Sequence, residues 1–168
     1  DATILPTDFT KVGADQVEMV GSLIGYEGEI AILSATTEAP DQNFWIEGMN
    51  KTLETDSKYS KMTLVATVYG DDQPEKSTTE MESLLANFPN LKGVIAPTTV
   101  GIAAGAQVVQ SRGISDTVKV TGLGLPSEMR DFIKDGTVEG FQLWSPYNEG
   151  WLAVHFSVGL KNGSMENK

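Results

Sequence analysis

The 168-residue chain contains no cysteine and only one histidine. Without cysteine it has no disulfide, no thiolate metal site and no thiol redox chemistry. Such a chain suits a secreted or periplasmic setting in which the core alone supplies stability, although cytosolic chains lack cysteine too. Basic residues are also scarce: 12 Lys and Arg face 23 Asp and Glu, for a formal net charge of -11. A surface this acidic repels phosphate backbones and anionic lipid, which argues against nucleic-acid and membrane-surface partners. No apolar run reaches the roughly 20 residues of a membrane span. No basic stretch leads into an apolar one at the start, so no signal peptide is expected in these residues. The chain opens abruptly at Asp1, as a fragment would.

The hydrophobic share of 40% and charged share of 21% are ordinary for a globular chain with one core. Short apolar runs alternate with longer amphipathic ones. Val12, Gln16, Val17, Met19, Val20, Leu23 and Ile24 predict a first helix over Thr10 to Ile24, ended by Gly25 and Gly28. Glu29 to Leu33 reads as a buried strand. Asp41 is expected to open a second helix, with Trp45, Ile46, Met49 and Leu53 on one face. Met62 to Val68 forms a β-branched strand before Gly70-Asp71-Asp72. Pro74 starts a helix through Met81, Leu84 and Leu85, ending at Asn87-Phe88-Pro89-Asn90. Gly93 to Ala96 gives a third strand, Thr99 to Ser111 an alanine-rich helix ended by Gly113, and Thr117 to Leu123 a fourth strand. Ser127 is expected to cap a short helix that stops at Gly136. Val138 to Leu143 is the expected fifth strand, and Pro146 begins a last helix through Trp151, Val154, Phe156 and Leu160. The tail from Gly163 to Lys168 reads as a frayed terminus.

Five strand-helix alternations predict an α/β fold with a five-stranded parallel sheet, order 2-1-3-4-5, and helices on both faces. The expected organisation is a single lobe over 1–168.

Catalytic signatures are thin. His155 lies inside the last helix, far from any strand end, where packing or surface roles are the ordinary ones. There is no Gly-x-Ser-x-Gly elbow and no Walker-type loop. Gly122-Leu123-Gly124 lacks a third glycine and follows the fourth strand, a poor dinucleotide signal. Asp71-Asp72 has no metal-ligand partners at useful spacing, and a phosphoacceptor receiver would need an aspartate where the third strand ends in Ala96-Pro97-Thr98. The chain is therefore expected not to be an enzyme, and to need no cofactor or metal.

Ligands of open α/β sheets sit at the carboxyl ends of the strands. The segments there are Ser34 to Pro40 with Asp41-Gln42-Asn43, Pro97-Thr98-Thr99, Gly124 to Ser127, and Trp144-Ser145-Pro146. Neutral donors and acceptors, one acid and one indole suit a polyhydroxylated ligand: a carboxylate accepts from vicinal hydroxyls, and an aromatic face covers a sugar's C–H side. Each residue also has a plainer role. Asp41 could be a helix N-cap, Thr98 and Thr99 likewise, and Trp144 could be core. Trp45 and Trp151 lie on apolar helix faces and are expected to be buried.

Several runs resemble the second lobe of type I periplasmic sugar-binding proteins: Ile32 to Trp45 with Asp41-Gln42-Asn43-Phe44-Trp45, Asn87 to Pro97, Val118 to Pro126 with Met129-Arg130, and Gly136-Thr137-Val138 before Leu143-Trp144. The subgroup most similar is the rhamnose-binding and furanosyl-autoinducer-binding proteins, and the resemblance covers nearly the whole chain. It implies non-catalytic binding of a small sugar or sugar-like polyol in a cleft between two lobes, for uptake by an ABC transporter. Implied ligand contacts are Asp41, Gln42, Pro97, Thr98 and Thr99, together with Trp144 and Ser145. The relatives commonly carry aspartate or asparagine at Ser145, and often aspartate at Thr98, so two acids are replaced by hydroxyls and the sugar is left open. A hinge aspartate of the relatives has no secure counterpart in Asp1. The resemblance also implies two partners, a missing first lobe and a transporter permease. It implies a periplasmic or extracellular location, with a lipid anchor on the longer protein as an option. The alternative reading is an effector-sensing domain of a sugar-responsive transcriptional regulator.

Overall fold

Strand β1 (Glu27–Ser34) carries the unbroken apolar run Ile30 to Leu33, and it lies between β2 and β3 in the sheet. A strand with neighbours on both edges and helices on both faces reads as a continuous hydrophobic stretch. Ile30 to Ser34 are buried accordingly. The structure, a computed structural model, describes residues 6–165; Asp1 and the last three residues lie outside the described range. The other strands are β2 (Lys61–Tyr69), β3 (Leu91–Ala96) and β4 (Lys119–Gly122). All pair in parallel, in the order β2-β1-β3-β4. The helices are α1 (Phe9–Ile24), α2 (Pro40–Thr55), α3 (Pro74–Asn87), α4 (Thr99–Arg112), α5 (Pro126–Lys134) and α6 (Pro146–Asn162).

The expected α/β class with a parallel sheet holds, but the sheet has four strands rather than five. The stretch expected as the fifth, Val138 to Leu143, makes one parallel bridge, Leu123 with Gln142. Gln142 N–H donates to Gly122 O at 2.7 Å and Gly124 N–H to Gln142 O at 3.0 Å. Two further backbone groups of the stretch are taken elsewhere than the ladder. Gly140 O accepts from the Thr121 hydroxyl at 2.9 Å, and Val138 N–H donates to Phe132 O at 3.0 Å. Thr117 and Val118 also fall outside β4, since both of their N–H groups return to Ile114 O.

Alternation along β1 assigns its residues to two cores. Ala31 and Leu33 join Met81 and Leu84 of α3, Ile102, Ala106 and Val109 of α4, and Met129 of α5 in one cluster. On the other face lies α1, whose Val20 and Ile24 close over Gly93 beside Ile30. Each buried Ile, Leu or Val contributes about 1.5–3 kcal/mol. Helices α1 and α2 approach backbone to backbone: a Cβ on Gly13 would sit 2.5 Å from Trp45 O and 2.7 Å from Met49 N. Gly13 thus allows an approach no larger residue permits. Trp45 is buried as expected, at the centre of that contact.

Backbone contacts divide the chain into two compact units. One is Thr10–Leu143, which holds the whole sheet; the other consists of the described residues before Thr10 and from Trp144 onward, including α6. In the second unit Trp151 departs from expectation, with 55% of its surface exposed. Its helical spacing marks it for burial, but among the described residues it is left exposed. No helix of the described residues is long and apolar enough to cross a membrane.

The amino ends of β1 and β2 are joined by a polar cluster. Glu18 on α1 accepts from Tyr26 Oη at 2.9 Å, Tyr59 Oη at 2.6 Å and Lys58 Nζ at 2.6 Å. Lys58 in turn lies 4.5 Å from the Tyr26 ring centroid. The Lys58 bond, followed by those of Tyr59 and Tyr26, holds the Glu18 carboxyl down at about 2, and burial pushes the Tyr59 phenol up to about 12.

Two stability predictions follow from these contacts. Gly122 has φ +142°, and a Cβ there would overlap the Ala96 carbonyl. Gly122→Ala is expected to cost about 3 kcal/mol in urea unfolding; a loss under about 1 kcal/mol would contradict the close β3–β4 approach. Because the Glu18 pKa is lowered on folding, its stabilisation is complete above the ordinary carboxylate range and is lost as pH falls from about 5 towards 2. With the Glu18 side chain 44% exposed, solvent screening limits this to about 1 kcal/mol. Glu18→Gln should therefore lower stability by that amount at pH 7, with the difference vanishing near pH 2. A difference independent of pH would refute the assignment.

Candidate ligand site at the carboxyl ends of the strands

Four helices of the larger unit begin just past the carboxyl ends of β1 to β4. Three start with proline at the first helical position, Pro40, Pro74 and Pro126. Proline fits there because its missing N–H has no helical acceptor in any case. It also determines which residue precedes it, and this corrects two expected caps. The N-cap of α2 is Ala39, and Asp41 sits exposed in the first turn with its side chain outside the cap position. The N-cap of α5 is Leu125, so Ser127 does not cap. Neither Ala39 nor Leu125 makes a side-chain cap bond.

The loops after β1, β2 and β3 converge through the backbone. Gly70 N–H donates to Ser34 O and Asp71 N–H to Ala35 O, both at 2.9 Å, which folds the β2 loop over the end of β1. Asp71 and Asp72 then take left-handed φ values of 54° and 51°, a conformation Asp tolerates better than most residues. Asp71 pairs with Lys76 at 2.6 Å. Asp72 reaches the β3 loop, where it accepts a hydrogen bond from Thr98 Oγ1. Thr98 has the backbone position of the α4 N-cap, but its side chain makes no cap bond. Its hydroxyl is given to Asp72 instead, and the residue is only 4% exposed. Thr99, the first residue of α4, is half-buried.

Gln42 and Pro97 are brought together: Gln42 Nε2 donates to Pro97 O across 3.4 Å. Asn43 Nδ2 anchors the loop before α2 by donating to Thr37 O at 2.9 Å. Ser34, the last residue of β1, is fully buried, and its hydroxyl has no hydrogen-bond partner among the described residues. Asp41, Gln42, Pro97, Thr98 and Thr99 thus gather on two adjacent loop-helix junctions at one end of the sheet. Trp144 and Ser145 belong to the other unit. There Trp144 is half-buried, and Ser145 is the N-cap of α6, its Oγ accepting from Asn148 N–H at 3.3 Å.

Asp72 is the residue that sequence reasoning did not select. It stood out only as half of an acid pair, and its partner Thr98 is 26 positions away. Among the described residues no group of three or more His, Cys, Asp or Glu is placed to hold a metal ion. The site presents hydroxyls, amides and carboxylates, a set that can bind neutral hydroxyl-bearing molecules through hydrogen bonds.

Residues 1–164 match the family model of the periplasmic binding protein domain. Among solved structures, a sugar ABC transporter protein from Actinomyces odontolyticus is 42% identical, with a TM-score of 0.89 over 95% of this chain and 51% of its own. An ABC transporter solute-binding protein from Clostridium phytofermentas with bound L-rhamnose is also 42% identical, with a TM-score of 0.86 over 95% of this chain and 50% of its own. A solute-binding protein from Burkholderia graminis in complex with D-arabinose is 29% identical, with a TM-score of 0.84 over 96% and 56%. The chain spans about half the length of these solved relatives. With a family match over nearly all its residues, the chain belongs to the periplasmic binding protein domain family.

Proposed function

We propose that this chain is one lobe of a two-lobed protein that binds a small sugar, without catalysis, for uptake by an ABC transporter. The observation that carries the reading is the 42% identity, over 95% of the chain, to a sugar ABC transporter protein and to a solute-binding protein holding L-rhamnose. L-Rhamnose or a similar deoxyhexose is the first candidate ligand, with pentoses such as D-arabinose and the furanosyl autoinducer next. The partners are a first lobe and a transporter permease, and the setting is periplasmic or extracellular.

Asp41 supplies the charged acceptor for vicinal hydroxyls, and Gln42 a donor and an acceptor. Pro97 shapes the β3 loop. Thr98 and Thr99 contribute hydroxyls, Trp144 an apolar ring face and Ser145 a further hydroxyl. The Asp72 bond takes the Thr98 proton, so Thr98 oxygen is left to accept from a sugar hydroxyl. The net charge of -11 makes phosphorylated sugars poor ligands. A sugar enclosed by two lobes is desolvated by both, and one lobe provides half the hydrogen bonds.

Titration calorimetry of the 168-residue chain is therefore expected to show L-rhamnose binding weaker than micromolar, and tighter binding would argue that one lobe suffices. In the two-lobed protein, a thermal-shift screen with L-rhamnose, D-arabinose and the furanosyl autoinducer should raise the melting temperature with at least one of them. No shift with any would count against the sugar reading. Asp41→Ala separates the two roles considered for that residue. Since Asp41 is not the cap, the variant should lose no more than about 0.3–1 kcal/mol of stability, the contribution of an acid near a helix start. It should weaken sugar binding at least tenfold, as expected for a lost bond to a charged acceptor of about 1.5–3 kcal/mol. Unchanged affinity would remove Asp41 from the site.

A further inference from the structure

The β2 loop brings to the site a carboxylate that the starts of α2 and α4 do not supply. Gly70 and Asp71 donate their N–H groups to Ser34 O and Ala35 O at 2.9 Å, which carries the next residue, Asp72, across the end of β1. There Asp72 Oδ1 accepts from Thr98 Oγ1. Gln42 Nε2 donates to the carbonyl of the residue just before, Pro97. Consecutive Cα atoms lie only about 3.8 Å apart. Asp72 from the β2 loop and Gln42 from α2 therefore hold the same short stretch of the β3 loop, and Asp41 is the neighbour of Gln42.

Half of the Asp72 carboxylate is unused. Thr98 is its only side-chain partner among the described residues and engages Oδ1 alone. Lys76, the closest cation in sequence, is taken by Asp71 at 2.6 Å. Asp72 is exposed, whereas Thr98 is 4% exposed. Of the pair, the carboxylate is the accessible acceptor, and the Thr98 hydroxyl holds it in place. The backbone agrees, because φ values of 54° and 51° make Asp71 and Asp72 two successive left-handed residues without glycine. Such a conformation persists only where the surroundings fix it. Asp72 is thus a held acceptor, unlike a freely rotating surface acid.

We infer that Asp72 is a further ligand contact, whose Oδ2 accepts from a hydroxyl of the bound sugar. The inference rests on the one-lobe sugar reading above and deepens it. An ionised carboxylate only accepts, so the ligand meets the β2 loop with a free hydroxyl, and an ether oxygen, a carbonyl or an acid group at that point is rejected.

The test is titration calorimetry on the two-lobed protein with L-rhamnose, D-arabinose and the furanosyl autoinducer, comparing wild type with Asp72→Asn and Asp71→Asn. Asparagine also tolerates the left-handed region and keeps an oxygen for Thr98, so the melting temperature without ligand is expected to stay unchanged. For the sugar that wild type binds, Asp72→Asn should weaken affinity at least tenfold, as for a lost bond to a charged acceptor. Asp71→Asn removes the same charge one residue away and should change affinity less than about twofold. One monodeoxy form of that sugar should bind wild type and Asp72→Asn equally, since it lacks the hydroxyl that Asp72 holds. Four results would overturn the inference: unchanged affinity in Asp72→Asn, an equal loss in Asp71→Asn, a melting temperature that falls together with the affinity, or no monodeoxy form that equalises the two proteins. The wild-type titration reports on the sugar reading separately. If wild type binds none of the three ligands, both readings fall; if it binds one and Asp72→Asn binds it as well, only the inference falls.

Discussion

Everything at the candidate site depends on β1 being hydrogen-bonded on both edges. Its residues pair with β2 from Glu27 to Ser34 and with β3 from Glu29 to Ile32. A strand buried on both faces has no water to satisfy its backbone, so its carbonyls must find protein donors to the end. The last of them, Ser34 O and the following Ala35 O, take the N–H groups of Gly70 and Asp71. That requirement draws the β2 loop across the end of β1 and carries Asp72 to Thr98. The convergence of the loops is thus a consequence of completing a ladder.

The two ends of the sheet carry different chemistry. At the amino end Glu18, Lys58, Tyr26 and Tyr59 satisfy one another, with the carboxylate accepting from three donors. At the carboxyl end the polar groups are less completely paired: Asp41 is exposed, and the Ser34 hydroxyl has no partner among the described residues. Closed networks stabilise, whereas groups with spare hydrogen-bonding capacity can receive a ligand.

Much of this was legible in the sequence, for identifiable reasons. The runs of β1 and β3 announce doubly covered strands, and Pro74 and Pro146 mark helix starts that the structure places at those residues. Val138 to Leu143 has the composition of a strand, but its place beside β4 also depends on the Thr121 side chain, which donates to Gly140 O where a ladder bond would otherwise form. Asp41 and Ser127 have the composition of caps, but the proline immediately before each takes the start of the helix and puts Ala39 and Leu125 at the cap positions. Trp151 shows a further limit: helical spacing marks an apolar face, but not whether the described residues cover it. The Asp72–Thr98 bond joins loops after different strands and leaves no local trace.

Gly13 affects how this lobe can vary. The α1 and α2 backbones meet there without intervening side chains, so α2 cannot turn about its own axis without displacing α1. The first turn of α2, carrying Asp41 and Gln42, therefore keeps a fixed bearing. The loops that flank α2 can therefore change by single substitutions while the frame that carries Asp41 and Gln42 stays the same.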